Sequence, residues 1–190
     1  MSYDPRAYWP ERARKQGARY VGHAADPDPE SSTITLAQRI DLLAPKCDAV
    51  LDFGCGVGRL APVLAAKAGR YVGVDIVEAA IVLAPVLPNA RYLYLPDDRL
   101  PFEDVSFDCV AAVTVLQHIV ADVDFALWTT ELRRVLRPDG FALIVDHNPM
   151  IDPAPHMNPR GHESVAAALG VKWCSVEVAD GHWYGLGRQK

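Results

Sequence analysis

At 190 residues the chain is long enough for one domain with a full core and too short for two comfortable ones. Half of the residues are hydrophobic and 23% are charged, which excludes a disordered chain, and a formal charge of −5 argues against a broad nucleic-acid surface. The four cysteines are scattered without a Cys-x-x-Cys pair, so neither a disulfide scaffold nor a zinc site is supported. The first residues lack the basic and apolar regions of a signal peptide, and no apolar run approaches the ~20 residues of a membrane span. A cytoplasmic protein without membrane contact is expected.

In chain order, residues 5–17 predict a short helix, with Asp4 as cap, Pro5 in the first turn and Gly17 as the stop. Tyr8 and Trp9 lie on it, while Arg12, Arg14 and Lys15 read as a solvated face. A loop over 23–32 precedes helical spacing over 33–44, which Pro45 ends. Strand and helix then alternate: strand 49–53, helix 57–68 closed by Gly69, strand 71–75, a short helix stopped by Pro85, and strand 90–95. Strand 107–114, helix 123–136, a turn at 138–140 and strand 141–146 follow. Strands that are apolar throughout are buried on both faces, and their alternation with helices predicts a parallel, doubly wound α/β sheet. Residues 147–161 hold four prolines and read as a long loop of the kind that is often functional. A short helix over 163–169 ends at Gly170, and 171–179 with 182–187 read as strands joined at Asp180-Gly181, a hairpin signal.

The chemistry concentrates in residues 50–60, where an apolar run ends in Asp52 and glycines follow at 54, 56 and 58, with Cys55 among them. Strand, glycine turn and helix let backbone amides approach a ligand without Cβ atoms in the way. Asp75 ends the next strand about twenty residues on, where a carboxylate can accept both hydroxyls of a ribose. These two features suit NAD as well as another adenosyl ligand. The glycine spacing begins to separate them, because the third glycine comes one residue earlier than in the NAD pattern and Asp52 precedes the loop.

Five segments in order resemble class I S-adenosylmethionine-dependent methyltransferases: residues 50–59, 71–76, 100–108, 115–119 and 132–140. The resemblance covers roughly residues 49–146. It implies a doubly wound, mostly parallel, seven-stranded Rossmann-like sheet whose last strand inserts antiparallel. It also implies S-adenosyl-L-methionine as cofactor and S-adenosyl-L-homocysteine as product. On that likeness Gly54, Gly56 and the backbone near Asp52 would face the methionine part, within a loop that includes Cys55 and Gly58. Asp75 would hold the ribose, Ile76 would lie against the adenine, and Thr114 would lie near the cofactor at the end of the fourth strand. The acidic loop Asp97-Asp98 would reach the adenine edge, although the family's usual Asp four residues before Leu-Pro-Phe is Pro96 here.

Methyl transfer needs alignment more than acid–base help, and a base only when the nucleophile must lose a proton. His118 and His147, after the fourth and fifth strands, are the candidates, with wall or loop-bonding roles as the plain alternatives. Tyr8 and Trp9 are either core aromatics or a lid over the cofactor. No Asn-Pro-Pro-Tyr motif, Pro-Cys pair or catechol-type ligand set is present, so nucleobase-type chemistry and a metal are not expected. The expected organisation is one domain: a cap over 1–45, a cofactor-binding core over 46–147, and a substrate-side loop, helix and hairpin over 148–190. The acceptor is expected to be O or N of a small molecule or of an exposed glycan or peptide group. The alternatives are a cofactor-binding scaffold or partner subunit without turnover, an NAD-dependent oxidoreductase, and an RNA methyltransferase. Oligomeric state is not legible.

Overall fold

The structure, a computed structural model, describes residues 3–16, 29–150 and 153–190. Gly17, the loop residues 23–28 and positions 151 and 152 of the proline-rich loop lie outside the described residues. The chain runs α1 (Pro5–Gln16), α2 (Pro29–Leu43), β1 (Cys47–Phe53), α3 (Ala61–Lys67), β2 (Ala68–Asp75), α4 (Glu78–Ile81) and β3 (Ala90–Tyr94). It continues through β4 (Phe107–Val113), a 3₁₀ turn (Leu116–His118), α5 (Asp122–Val135), β5 (Leu136–His147), α6 (His162–Leu169), β6 (Val171–Ala179) and β7 (His182–Gln189).

The strands form one seven-stranded sheet in the order β3-β2-β1-β4-β5-β7-β6. The first five are parallel, and β7 pairs antiparallel with both β5 and β6. This is the expected doubly wound sheet with its antiparallel last strand. Alternation along each strand divides the core in two. Leu51, Phe53, Val72, Val74, Val110, Ala112, Ala142 and Ile144 meet α5 and α6 on one face. Val50, Tyr71, Ala111, Val113, Leu143 and Val145 meet α2 and α3 on the other. Continuous apolar strands are therefore the requirement of a sheet covered on both sides.

Four local expectations need correction. Helix α2 begins at Pro29, so residues 29–32 are helix rather than loop, with proline at the first helical position. Residues 57–60 are turn rather than helix, because Gly58 has φ +71° and the helix opens only with Pro62 in its first turn. Gly69 lies within β2, since Ala68 is already extended and pairs with Cys47. Residues 138–140 belong to β5, which starts at Leu136 opposite Phe107; the positive φ of Asp139 and a register shift between Phe107 and Cys109 absorb the turn-like sequence. Among the described residues, no helix is long and apolar enough to cross a membrane.

Candidate functional site

The site begins where β1 ends. Its neighbours in the sheet are β2 on one side and β4 on the other, so the strand order reverses there and a crevice opens at the carboxyl ends. The chain leaves Phe53 through Gly54 (φ +72°), Gly56 (+56°) and Gly58 (+71°), a left-handed run that only glycine adopts without strain. The amides of Gly54 and Cys55 donate to the Val74 carbonyl at 2.9 and 3.0 Å, which ties the loop to β2. A Cβ on Gly54 would run into the Val115 side chain. Cys55 points inward, and burial pushes its thiol up.

Asp75 closes the floor of the crevice. Its Oδ2 accepts the Gly56 amide and its Oδ1 the Val77 amide, both at 2.8 Å. Burial raises its pKa against the pull of those amides. Each carboxylate oxygen has a second lone pair, so two hydroxyls could still be accepted. Asp52 lies beneath the loop, 3% exposed, and accepts the Tyr71 hydroxyl at 2.7 Å. Burial pushes Asp52 up to about 6, opposed by the Tyr71 bond and the Arg59 charge.

Arg59 is a site residue that sequence reasoning passed over. It donates to Thr114 Oγ1 at 3.2 Å, and burial lowers its pKa against the attraction of Asp52. Its position directly after the third glycine was the available signal. Thr114 itself sits at φ +55°, with its amide bonded to the Val145 carbonyl at 2.7 Å. That strained backbone turns its side chain toward Arg59 at the carboxyl end of β4.

Helix α1 lies over this crevice. Ala13, Val77 and Ala80 form a small cluster against which Trp9, Val57 and Ile76 pack, joining helix, glycine loop and α4. Arg6 reaches the other rim, donating to the Leu95 carbonyl at 3.3 Å and pairing with Asp98 at 2.6 Å. Asp97, beside it, is exposed. Arg14 and Lys15 do pair with Glu11 on the solvent side, at 2.8 and 3.1 Å. Arg12 departs from the expected solvated face, donating to Tyr8 Oη at 2.9 Å with its guanidinium 5.6 Å from the Trp9 ring.

Five rings gather beyond the loop. His118 and His156 stack at 5.3 Å and 8°, Tyr8 stacks on His156 at 4.9 Å, and Trp9 meets His118 edge-on at 4.7 Å. Tyr3 completes the group, accepting the Trp9 indole N–H at 3.0 Å, and burial raises its hydroxyl to about 12. His156 comes from the proline-rich loop, so the loop and α1 meet across His118. His147 stands apart at the end of β5, its ring 5.5 Å from that of His182. Its neighbour Asp146, 1% exposed, has an Oδ2 without a hydrogen-bond partner among the described residues, and burial pushes its pKa up to about 8. A lone acid closing an apolar strand was its signal. No group of three metal-binding side chains converges among the described residues.

Residues 51–144 match a family model described as "Methyltransferase domain". The chain is 33% identical over 109 residues to a probable S-adenosylmethionine-dependent methyltransferase of Mycobacterium tuberculosis, covering 56% of this chain and 39% of that protein. It is 34% identical over 146 residues to 2-methyl-6-phytyl-1,4-hydroquinone methyltransferase of Synechocystis, covering 68% of this chain and 44% of that one. The chain thus spans less than half the length of these two curated relatives. In fold it resembles the crystal structure of the PH0226 protein from Pyrococcus horikoshii, with TM-score 0.74, 21% identity, and 95% and 99% of the two chains covered. The DhpI–SAH complex gives TM-score 0.72 at 21% identity, covering 97% and 94%. With the matched segment running from β1, before the glycine loop, into β5, residues 51–144 form a class I S-adenosylmethionine-dependent methyltransferase domain.

Proposed function

We propose that this chain binds S-adenosyl-L-methionine in the crevice between the glycine loop and α1. We propose further that it transfers a methyl group to O or N of a small molecule or of an exposed glycan or peptide group. The observation that carries the reading is the pairing of Asp75 with the Gly56 amide at the reversal of strand order. It leaves acceptor capacity for two hydroxyls beside a backbone with no Cβ in the way. The chain's residues fit the cofactor in charge as well. Asp75 would hold the ribose hydroxyls and Ile76 the adenine face, with the backbone of Gly54, Cys55, Gly56 and Gly58 against the methionine part. Asp52 would act from beneath that loop, and Arg59, held by Thr114, would meet the ligand carboxylate. With Asp98 engaged by Arg6, Asp97 is the acid for the adenine edge.

When bound, the sulfonium supplies an activated methyl group, so the protein's task is chiefly alignment and exclusion of water. Trp9 and Tyr8 would close the site as part of a cap within one domain. His118 is favoured over His147 as the base, because it lies inside the ring cluster while His147 faces the β5–β7 end. The rings of Tyr3, Tyr8, Trp9, His118 and His156 favour an acceptor with a flat face. A hydroquinone methyltransferase and a ubiquinone biosynthesis O-methyltransferase among the relatives are consistent with that. The four free cysteines fit a cytoplasmic location.

Calorimetry with S-adenosyl-L-homocysteine tests the reading. Wild type should bind it, Asp75→Ala should bind at least about tenfold more weakly, as for loss of a charge-assisted hydrogen bond, and NADH should give no heat. Binding of NADH with none of the homocysteine ligand would reverse the assignment.

A further inference from the structure

Gln117 is 3% exposed and uses both its backbone and its side-chain groups to join three segments. Its amide donates to Asp146 Oδ1 at 3.1 Å, and its carbonyl accepts the Asn158 amide at 2.7 Å. Its side-chain Oε1 accepts the His147 amide at 2.6 Å, and its Nε2 lies 3.3 Å from His118 Nε2. The 3₁₀ turn is thereby pinned to the end of β5 and to the proline-rich loop.

One of these bonds settles the orientation of another. A backbone N–H can face only the oxygen of a side-chain amide, so the bond from His147 makes the atom toward His118 the NH₂ group. An NH₂ group can only donate. His118 Nε2 must therefore be the nitrogen that carries no proton, which puts the ring proton on Nδ1. There the His156 carbonyl waits at 3.4 Å, an acceptor on the side that this tautomer requires. Two independent contacts agree on the same protonation pattern.

We propose that Gln117 is a positioning residue that holds His118 as its Nδ1–H tautomer, making Nε2 the ring nitrogen that receives a proton. The catalytic half of this rests on the reading of His118 as base; the tautomer does not. In the proposed transfer the acceptor's O–H or N–H bond breaks, its electron pair stays with the acceptor, and the proton goes to Nε2. The single lone pair of Nε2 is occupied by the Gln117 N–H until the acceptor enters, so the Gln117 NH₂ group turns aside as the acceptor's O–H or N–H takes its place. The resulting imidazolium carries N–H on both nitrogens, and Nδ1–H keeps its bond to the His156 carbonyl. A histidine in water favours the other tautomer, so without Gln117 the productive nitrogen would usually be protonated.

Long-range ¹H–¹⁵N correlation spectra of the full chain at about pH 8.5, some two units above the ordinary histidine value, read the tautomer directly. His118→Asn assigns the signal. Wild type should show Nδ1 protonated and Nε2 bare, and the near-isosteric Gln117→Met should shift His118 toward Nε2–H. Gln117→Asn, too short to reach both His147 and His118, should give the same shift and covers the case in which methionine disturbs the fold. Nε2–H in wild type, or an unchanged Nδ1–H tautomer in a folded variant, would overturn the proposal. None of these spectra needs cofactor or acceptor, so their failure is distinct from failure of calorimetry with S-adenosyl-L-homocysteine. Where turnover can be followed, Gln117→Met should lower kcat by at least tenfold with KM changed less than threefold.

Discussion

The sharpest consequences fall on single side chains. Gly54 combines a positive φ with a Val115 side chain where its Cβ would be. Gly54→Ala adds a left-handed alanine, at about 1 kcal/mol, to an overlap of about 1–3 kcal/mol. Urea unfolding should therefore show a loss of ~2–4 kcal/mol. Adding Val115→Ala should restore the overlap part and leave the backbone part; strictly additive losses would mean that Val115 is not what Gly54 avoids. Asp146 makes a prediction about pH. Its pKa is near 4 in an unfolded chain and about 8 in the folded one, so between those values the folded chain holds a proton that the unfolded chain has lost. Stability due to this group is complete below pH ~4 and is lost as pH rises toward ~8, and Asp52 acts in the same direction up to about 6. Asp146→Asn keeps an oxygen for the Gln117 amide and removes the titration. Unfolding midpoints taken at pH 5 and at pH 8 should fall for wild type and fall clearly less for the variant. Equal slopes would assign the loss to another group. Asp146, Arg59 and Gln117 were all plain in the sequence as letters, yet what makes each matter is a partner 29 to 55 positions away, which no local pattern encodes.

At the scale of elements, legibility followed the range of the forces. Helix α1 could be read because its start is local: Asp4 Oδ1 accepts the Arg6 amide at 2.9 Å, and Pro5 follows the cap. The beginning of β5 could not, since Pro138, Asp139 and Gly140 are turn residues that the strand takes up as an irregularity between its pairs with Phe107 and Cys109, with Asp139 at φ +62°. Nor could local pattern say whether α1 docks as a lid. Two of its attachments are of unequal worth. The Arg6–Asp98 ion pair has side chains 37% and 70% exposed, where screening leaves ~0–1 kcal/mol. Trp9 brings aromatic surface to Val57, Ile76 and His118, a burial worth about 1.5–3 kcal/mol. Hydrogen exchange of the α1 amides should accordingly quicken by less than about fivefold in Arg6→Ala and by about tenfold or more in Trp9→Ala. Addition of salt should reproduce the first effect and not the second. The reverse ranking would make the ion pair the stronger attachment of α1.

For the molecule as a whole, alternating apolar strands and helices foretell a parallel sheet because each strand must be covered on both faces. They do not say on which edge the next strand adds, so the order β3-β2-β1-β4-β5-β7-β6 came from tertiary pairing, with only the hairpin at Asp180-Gly181 announcing the antiparallel end. That order places the glycine loop, Asp75, Thr114 and His147 at the carboxyl ends of four adjacent strands, and α1 closes over their centre. A ligand seated there would touch groups from β1, β2, β4 and α1 at once, and would have nothing equivalent to hold in the unfolded chain. Its binding should therefore appear as global stability. At 100 times its dissociation constant, S-adenosyl-L-homocysteine should add about 2.7 kcal/mol, which for a chain of this size raises Tm by roughly 5–10 °C. The rise should grow with the logarithm of ligand concentration. Asp75→Ala should show little of it at the same concentration, and Trp9→Ala an intermediate rise, since opening α1 costs the closed state without removing the floor of the site. Scanning calorimetry across a ligand series separates these cases. A full shift in Asp75→Ala would move the ribose away from β2 and with it the whole placement of the ligand along the carboxyl edge.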